Sequence, residues 1–197
     1  MRLSSILLTS YISAALAVIA LPATAAPIHE CVAGRVTPQS YSWDFKGEAN
    51  SIFKDIQYEA MQAVYHADVL QSFKENTTLD WETHARQLDF LKQEINEIGA
   101  KLCRLETIRR VLDPWQQHVV DRVAVSEREM AGTAQNAILF VNEKPGQLWQ
   151  VTYRDDLVNL YNQADSLTHT VNNATEFAGV SKTYHDLGHK LGMKSPS

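Results

Sequence analysis

Apolar residues recur at alternating steps of three and four along most of the chain, the spacing that gathers one face of an α-helix. Helix A is predicted from Asp44, as N-cap, to about Lys74. Its stripe is rich in alanine and comprises Ala49, Phe53, Ile56, Ala60, Ala63, Ala67 and Leu70. Helix B carries the most regular seam, which indicates coiled-coil packing. That seam comprises Trp81, His84, Leu88, Leu91, Ile95, Ile98, Leu102 and Leu105.

The second half of the chain predicts helices C and D. Asp113, Pro114 and Gln116 form a helix-start signature, so helix C is predicted from Pro114 to about Glu143. Its predicted interior residues are Trp115, Val119, Val123, Met130, Ala137 and Phe140. Helix D has a second clear seam, and Gly179 is predicted to end it. That seam comprises Tyr153, Leu157, Leu160, Ala164, Leu167, Val171 and Ala174.

Four long helices with short connections predict an all-α fold, an antiparallel up-down-up-down four-helix bundle. In the alternative, helices B and C form one long helix kinked at Pro114, because the seam of B continues in phase through Leu112 into Val119. Arg109 and Gln116 interrupt that stripe, and the residue before a proline disfavours the α conformation. A tight reversal is therefore favoured. A tryptophan at or just before each helix start is predicted to close a bundle end: Trp43, Trp81, Trp115 and Trp149.

The N-terminal segment has the layout of a secretory signal peptide. Arg2 precedes the uncharged apolar run 6–20, Pro22 ends that run, and Ala23-Thr24-Ala25 is a small-residue cleavage pattern. We expect cleavage after Ala25, an uncleaved anchor being the alternative. The predicted organisation is a signal peptide at 1–25, an irregular arm at 26–43, a helical bundle at 44–180 and a flexible tail at 181–197, frayed helix or disordered. The protein is expected to be exported, periplasmic or extracellular, with no transmembrane segment in the mature chain.

Composition and charge narrow the possible partners. The chain is 45% hydrophobic and 21% charged, which is typical of a folded globular protein. Its 8 glycines and 6 prolines are too few for the many turns of a β-sandwich. Removal of the signal segment takes away one positive charge and no acid, so the formal net charge moves from −5 to −6. An acidic product argues against nucleic acid and anionic lipid as partners.

Cys31 and Cys103 are the chain's 2 cysteines, and export makes a disulfide between them permissible. The bridge would fasten the N-terminal arm to the bundle. The chain-entropy model assigns such a long loop about 4 kcal/mol of stabilisation. The alternative is a pair of unbridged thiols, because the sequence does not show whether the two sites lie within bridging distance.

The sequence His185-Asp186-Leu187-Gly188-His189 is the nearest approach to a metal motif. Two histidines four residues apart on a helix can share a metal, but Asp186 replaces the glutamate of zinc proteases, and Gly188 weakens the helix. A third ligand would have to come from elsewhere. His185 and His189 are therefore weak metal candidates, and a polar tail is the favoured interpretation.

Other chemistry-bearing residues have simpler explanations, and no cofactor is predicted. The remaining helical histidines, His66, His84, His118 and His169, lack the Glu-x-x-His pattern of bundle metal sites. Haem would need an inward methionine, for which Met61 and Met130 are candidates, but both are expected to fill the core. The pair Asp155-Asp156 suits a helix N-terminus. Four tyrosines are candidates for lining a ligand cleft: Tyr58, Tyr65, Tyr153 and Tyr161.

Three functional hypotheses follow. The favoured one is a non-enzymatic helical-bundle protein of the cell envelope that acts through contacts with an unknown protein partner or as a structural element. The alternative is a bundle that binds a small ligand or metal, as a sensor or carrier, because the alanines of helix A leave room beside larger neighbours. An enzyme is the third, and its candidate residues are the 7 histidines.

Overall fold

The computed structural model describes residues 43–73 and 80–193, and all regular elements within these ranges are helical. The predicted signal peptide, nearly all of the predicted arm and Cys31 lie outside the described residues. The long helices are α1 (Phe45–Phe73), α2 (Trp81–Ile108), α3 (Pro114–Glu143) and α4 (Val151–Lys190). Short 3-10 segments, Arg109–Val111 and Pro145–Gln147, precede α3 and α4. No helix in these ranges is long and apolar enough to cross a bilayer.

The helices form an antiparallel up-down-up-down bundle, as predicted. Helices α1 and α3 each pack against α2 and α4. The start of α1 lies beside the end of α2, where Arg104 Nε donates to Glu48 Oε1 at 2.7 Å. The alternative of one kinked helix is wrong, because Leu112 and Asp113 have extended backbone angles, with ψ of 157° and 151°. The residue before Pro114 thus leaves the helix, and the chain reverses.

Three side chains define the predicted helix starts. Asp44 Oδ1 accepts the backbone N–H of Gly47 at 2.8 Å, which caps α1. Asp80 Oδ1 accepts the backbone N–H of Thr83 at 2.9 Å, which caps α2. Gln116 Oε1 accepts the backbone N–H of Asp113 at 3.0 Å, as its position in α3 predicts. These bonds satisfy helix-terminal groups that have no partner within their own helix.

The core matches the predicted seams on α1, α2 and α4. All predicted α1 and α4 seam residues are buried, and so are those of α2 from His84 onward. Trp81 differs, with 43% of its surface exposed. Trp43 and Trp149 are also exposed, so the prediction that tryptophans close the bundle ends is wrong for these three. Trp115 alone of the four packs partly buried against the core.

The predicted interior of α3 is displaced by one residue at both ends. Gln116, Val120 and Val141 are buried where Trp115, Val119 and Phe140 were expected. Gln116 occupies the core because its amide donates to Lys46 O at 3.0 Å and to Asn50 Oδ1 at 2.9 Å. A polar side chain with partners can be buried at little cost. The buried residues of α3 are Gln116, Val120, Val123, Met130, Ala134, Ala137 and Val141.

Helix α4 does not end at Gly179 but continues to Lys190. The backbone of Gly179 is not in the left-handed region, whereas Gly192 has a φ of 68°. Beyond the helix, Met193 N donates to Gly188 O at 2.9 Å and Gly192 N donates to His189 O at 3.2 Å. This pair of bonds is the Schellman motif that ends many helices. Residues 181–190, predicted as part of the tail, are therefore helical.

Candidate functional site

The C-terminal part of α4 runs past the start of α3, and most of its side chains are exposed. Phe177 contacts Trp115 in the first turn of α3, with ring centroids 5.0 Å apart. Because Trp115 stands at the start of α3, the residues of α4 after Phe177 pass the level where its neighbour begins. We call residues 178–190 the extension, and the rest of the four helices the body. The extension is about 20 Å long at the rise of an α-helix.

A row of apolar side chains continues along the extension and is open to solvent. Its members, which we call the projecting stripe, are Phe177, Val180, Tyr184, Leu187 and Leu191. Their spacing alternates three and four, so they gather on one side of the helix. Between 52% and 73% of the surface of each is exposed. Single exposed apolar residues are ordinary, but a contiguous row of them marks an interaction surface.

The metal candidates His185 and His189 lie on the extension, exposed and one helical turn apart. In the helical repeat His185 and His189 are rotated by more than about 100° from the centre of the projecting stripe, so the histidines lie on the side of the helix away from it. In the part of the chain that the structure describes, no group of three or more histidine, cysteine or acidic side chains is placed to hold a metal ion. The structure thus places no third ligand from those ranges next to this pair.

The remaining histidines do not converge on one site. Gln87 Nε2 donates to His66 Nδ1 at 2.7 Å, the His66 ring stacks on Phe90, and burial lowers the pKa of His66. His118 is exposed on α3. His169, exposed on α4, lies 3.6 Å from Asp165. These three are separate surface or half-buried groups.

His84 belongs to a buried cluster to which every helix contributes one ring. Its Nδ1 shares a hydrogen bond with Tyr153 Oη at 2.9 Å, and its ring meets Phe73 edge-on with centroids 5.1 Å apart. Phe140 stacks on Tyr153 with centroids 5.4 Å apart, and Lys144 Nζ lies 5.1 Å from the centre of the Phe140 ring. The cluster ties α2 to α4 across the diagonal of the bundle.

Burial determines the protonation of this cluster. It lowers the pKa of His84, an effect that Asp80 partly opposes, and it raises the pKa of Tyr153. Both groups therefore prefer their neutral forms in the folded protein. Because the folded pKa of His84 lies below the ordinary value of 6.5, the stability that it contributes is lost as the pH falls below that value. The arrangement is that of a structural hydrogen bond within an aromatic core.

A group of acids lies where α1 meets α2. Lys101 Nζ lies 3.1 Å from Glu59 Oε1 and 3.4 Å from Glu97 Oε2. Burial, a hydrogen bond to Glu59 and the charges of Glu59 and Glu97 together raise the pKa of Glu94 to about 7. Glu94 therefore keeps its proton to a higher pH than an ordinary carboxyl group does. This group was not predicted from the sequence, because its members come from two helices.

The cleft and cofactor candidates are dispersed. Tyr58 and Tyr65 are exposed on α1, whereas Tyr153 is fully buried, so these tyrosines do not line one cleft. Met61 is exposed and only Met130 faces the core, so the expectation that both fill the interior is wrong for Met61. Asp156 lies at the start of α4, where burial and then Asp155 raise its pKa. Ala49, Ala60, Ala63 and Ala67 are fully buried, and the ligand space expected beside them stays a prediction.

Cys103 lies half-buried on α2, and the predicted Cys31–Cys103 bridge stays a prediction because Cys31 is not among the described residues.

Comparison of the chain with protein-family models, with curated proteins and with solved structures yields no match. A proposal for function therefore has to come from the sequence pattern and the geometry.

Proposed function

We propose that the protein is an exported, non-enzymatic helical bundle of the cell envelope that acts through protein contacts, with the projecting stripe as its contact surface. The observation that carries the proposal is the exposure of that stripe. A soluble helix that keeps an apolar row in water loses the free energy that burial would provide, about 25 cal/mol for each square ångström. A partner that covers the row recovers it.

Two further features support the proposal. Residues 1–25 have the layout of a secretory signal peptide, which is consistent with a role in the envelope. The apolar row also ends at a specific stop, because Leu191 is followed by the left-handed Gly192. The extension is thus a defined helix with one apolar side, the element that docks into grooves or pairs with other helices.

The experiment uses photo-crosslinking in the envelope of the host. A photoreactive phenylalanine analogue replaces Tyr184 on the projecting stripe, and in the matched control it replaces Asp186, which is exposed on the side of the extension away from the stripe. We expect a discrete protein adduct from position 184 that is absent from position 186. The adduct should disappear when the same chain carries Leu187→Asp.

Two outcomes of the crosslinking experiment would contradict the proposal. If both positions give the same adducts, or if Leu187→Asp leaves the adduct of position 184 unchanged, the projecting stripe is not the contact surface. Leu187 is exposed in the isolated chain, so the charged variant keeps the fold of the body and its result is interpretable.

A further inference from the structure

We infer that the occupant of the projecting stripe is a second copy of this chain, paired antiparallel along the extension. The inference rests on the proposed function and names the partner. It is carried by the charges that flank the stripe together with the spacing of its apolar members.

The stripe follows a heptad pattern. Phe177, Tyr184 and Leu191 occupy its first apolar position, called a, and Val180 and Leu187 occupy the second, called d. One flank, position g, holds Glu176, Thr183 and Lys190. The other flank, position e, holds Ser181 and Gly188. In helix pairs, side chains at e and g set the partner and its direction.

An antiparallel pair brings the g flank of one helix against the g flank of the other. When the two-fold axis crosses the extension near Lys182, each Glu176 lies opposite Lys190 of the second copy, and the two Thr183 residues face each other. The same register places Val180 beside Tyr184 of the second copy and Phe177 beside Leu187 of the second copy. One antiparallel arrangement therefore gives four of the five stripe residues an apolar partner and places each Glu176 opposite a Lys190.

A parallel pair offers no such match. Its g flank would face the e flank, so Glu176 would lie opposite Ser181 and Thr183 opposite Gly188. The small residues Ser181 and Gly188 instead suit close approach of two antiparallel e flanks. The pattern on the extension is thus complementary to itself in one direction, which is the property of a two-fold interface.

The body shows how this chain treats the charges beside a seam. Glu48 pairs with Arg104 across α1 and α2, and Glu59 pairs with Lys101 across the same two helices. Within the described residues, Glu176 and Lys190 form no ion pair. The partners that the body supplies to its flanking charges are supplied to the extension by the second copy.

Sedimentation equilibrium of the whole mature chain tests the inference. Two short helices bury a small interface, so the dimer should be weak, with a Kd on the order of tens of micromolar. Glu176→Lys and Lys190→Glu should each raise the Kd by about 3- to 10-fold, because each turns both ion pairs into repulsions. The double variant, with the charges exchanged, should return the Kd to that of the unchanged chain.

Controls keep the charge test specific. Lys182→Glu and Asp186→Lys change exposed charges of the extension that lie off both flanks, and neither should alter the Kd appreciably. Leu187→Asp should abolish the dimer. A dimer whose Kd is unaffected by the single charge variants, or is not restored by the exchange, would overturn the antiparallel arrangement.

The two proposals fail separately. A chain that stays monomeric up to about 500 µM overturns self-pairing. If its position-184 adduct then contains a different protein and still depends on Leu187, the projecting stripe remains a contact surface and only its occupant changes. If no stripe-dependent adduct forms either, the proposed function falls as well.

Discussion

The body and the extension of α4 belong to one helix and carry the same apolar spacing, yet they differ in what that spacing achieves. Leu157 in the body has no exposed surface, whereas Leu187 in the extension is 52% exposed. Helices α1 and α3 pack against α4 and bury the first, whereas the second lies at the surface. The comparison teaches that a seam in a sequence states that a helix needs a partner, but not whether the same chain provides it.

The largest expected difference in the free energy of unfolding comes from replacing one leucine by alanine in each region. Leu157→Ala should reduce the free energy of unfolding by about 2–5 kcal/mol, because it leaves a cavity in the core. Leu187→Ala should change that free energy by less than about 0.5 kcal/mol in dilute protein. Urea unfolding followed by circular dichroism measures both. Equal losses would show that the extension is packed against the body.

The next largest effect on the free energy of unfolding comes from the hydrogen bond between His84 and Tyr153, which crosses the bundle diagonally. Tyr153→Phe keeps the ring and its stacking on Phe140 but leaves the Nδ1 of His84 buried without its partner. We expect a loss of about 1–2 kcal/mol in the free energy of unfolding. Tyr184→Phe removes an exposed hydroxyl from the extension and is the matched control. An unchanged stability in Tyr153→Phe would mean that water reaches His84.

The acids between α1 and α2 predict a pH dependence. The folded pKa of Glu94 is raised to about 7 from 4.5, so its contribution to stability is full below pH 4.5 and is lost as the pH rises through 7. Glu94→Gln stays neutral, so it should raise the unfolding free energy at about pH 8 by about 1 kcal/mol, a value reduced for solvent screening. Its advantage should shrink toward about pH 5.

Thermal unfolding at both pH values measures the Glu94 effect. Glu129→Gln neutralises an exposed acid on α3 and should show no comparable gain at the higher pH. If Glu94→Gln is no more stable than the unchanged protein there, the folded pKa of Glu94 is not raised above its ordinary value.

The smallest effects come from two glycines, one in each region. A Cβ added at Gly132 or at Gly179 would meet nothing within 4 Å, and both positions are helical. Gly132→Ala should raise the global unfolding free energy by about 0.5–1 kcal/mol. Gly179→Ala should instead slow amide hydrogen exchange in the extension by about 2- to 5-fold and leave global unfolding unchanged. A global gain from Gly179→Ala would indicate that the extension unfolds together with the body.

The sequence was sufficient for the helices, their order and most of the core, because the seams of α1, α2 and α4 are almost purely apolar. The prediction of the α3 interior was wrong by one residue at both ends. One of the buried positions is Gln116, a polar residue whose hydrogen-bond partners, Lys46 and Asn50, lie on α1. The hydrogen bond between His84 and Tyr153 could not be predicted from the sequence either, because it joins two helices that are far apart in the chain.

The extension was not predicted, because a glycine can either end a helix or lie within one. Gly179 resembles a helix stop, but its φ is not positive; Gly192 is the stop, and His189 and Lys190 in the last turn are the signal that marks it. The apolar spacing from Phe177 to Leu191 was present in the sequence. It was hidden by the surrounding polar residues, and no spacing rule says whether a stripe will be covered.

The continuity of α4 has a mechanical consequence. The helix runs without a break from Val151 to Lys190, a rod of about 60 Å. Its first part is buried against α1 and α3, whereas the side chains of its last part are mostly exposed. A load applied at Leu191 therefore acts on a lever whose fulcrum is the contact between Trp115 and Phe177. A partner that binds the end of the extension therefore also sets the orientation of the body relative to that partner.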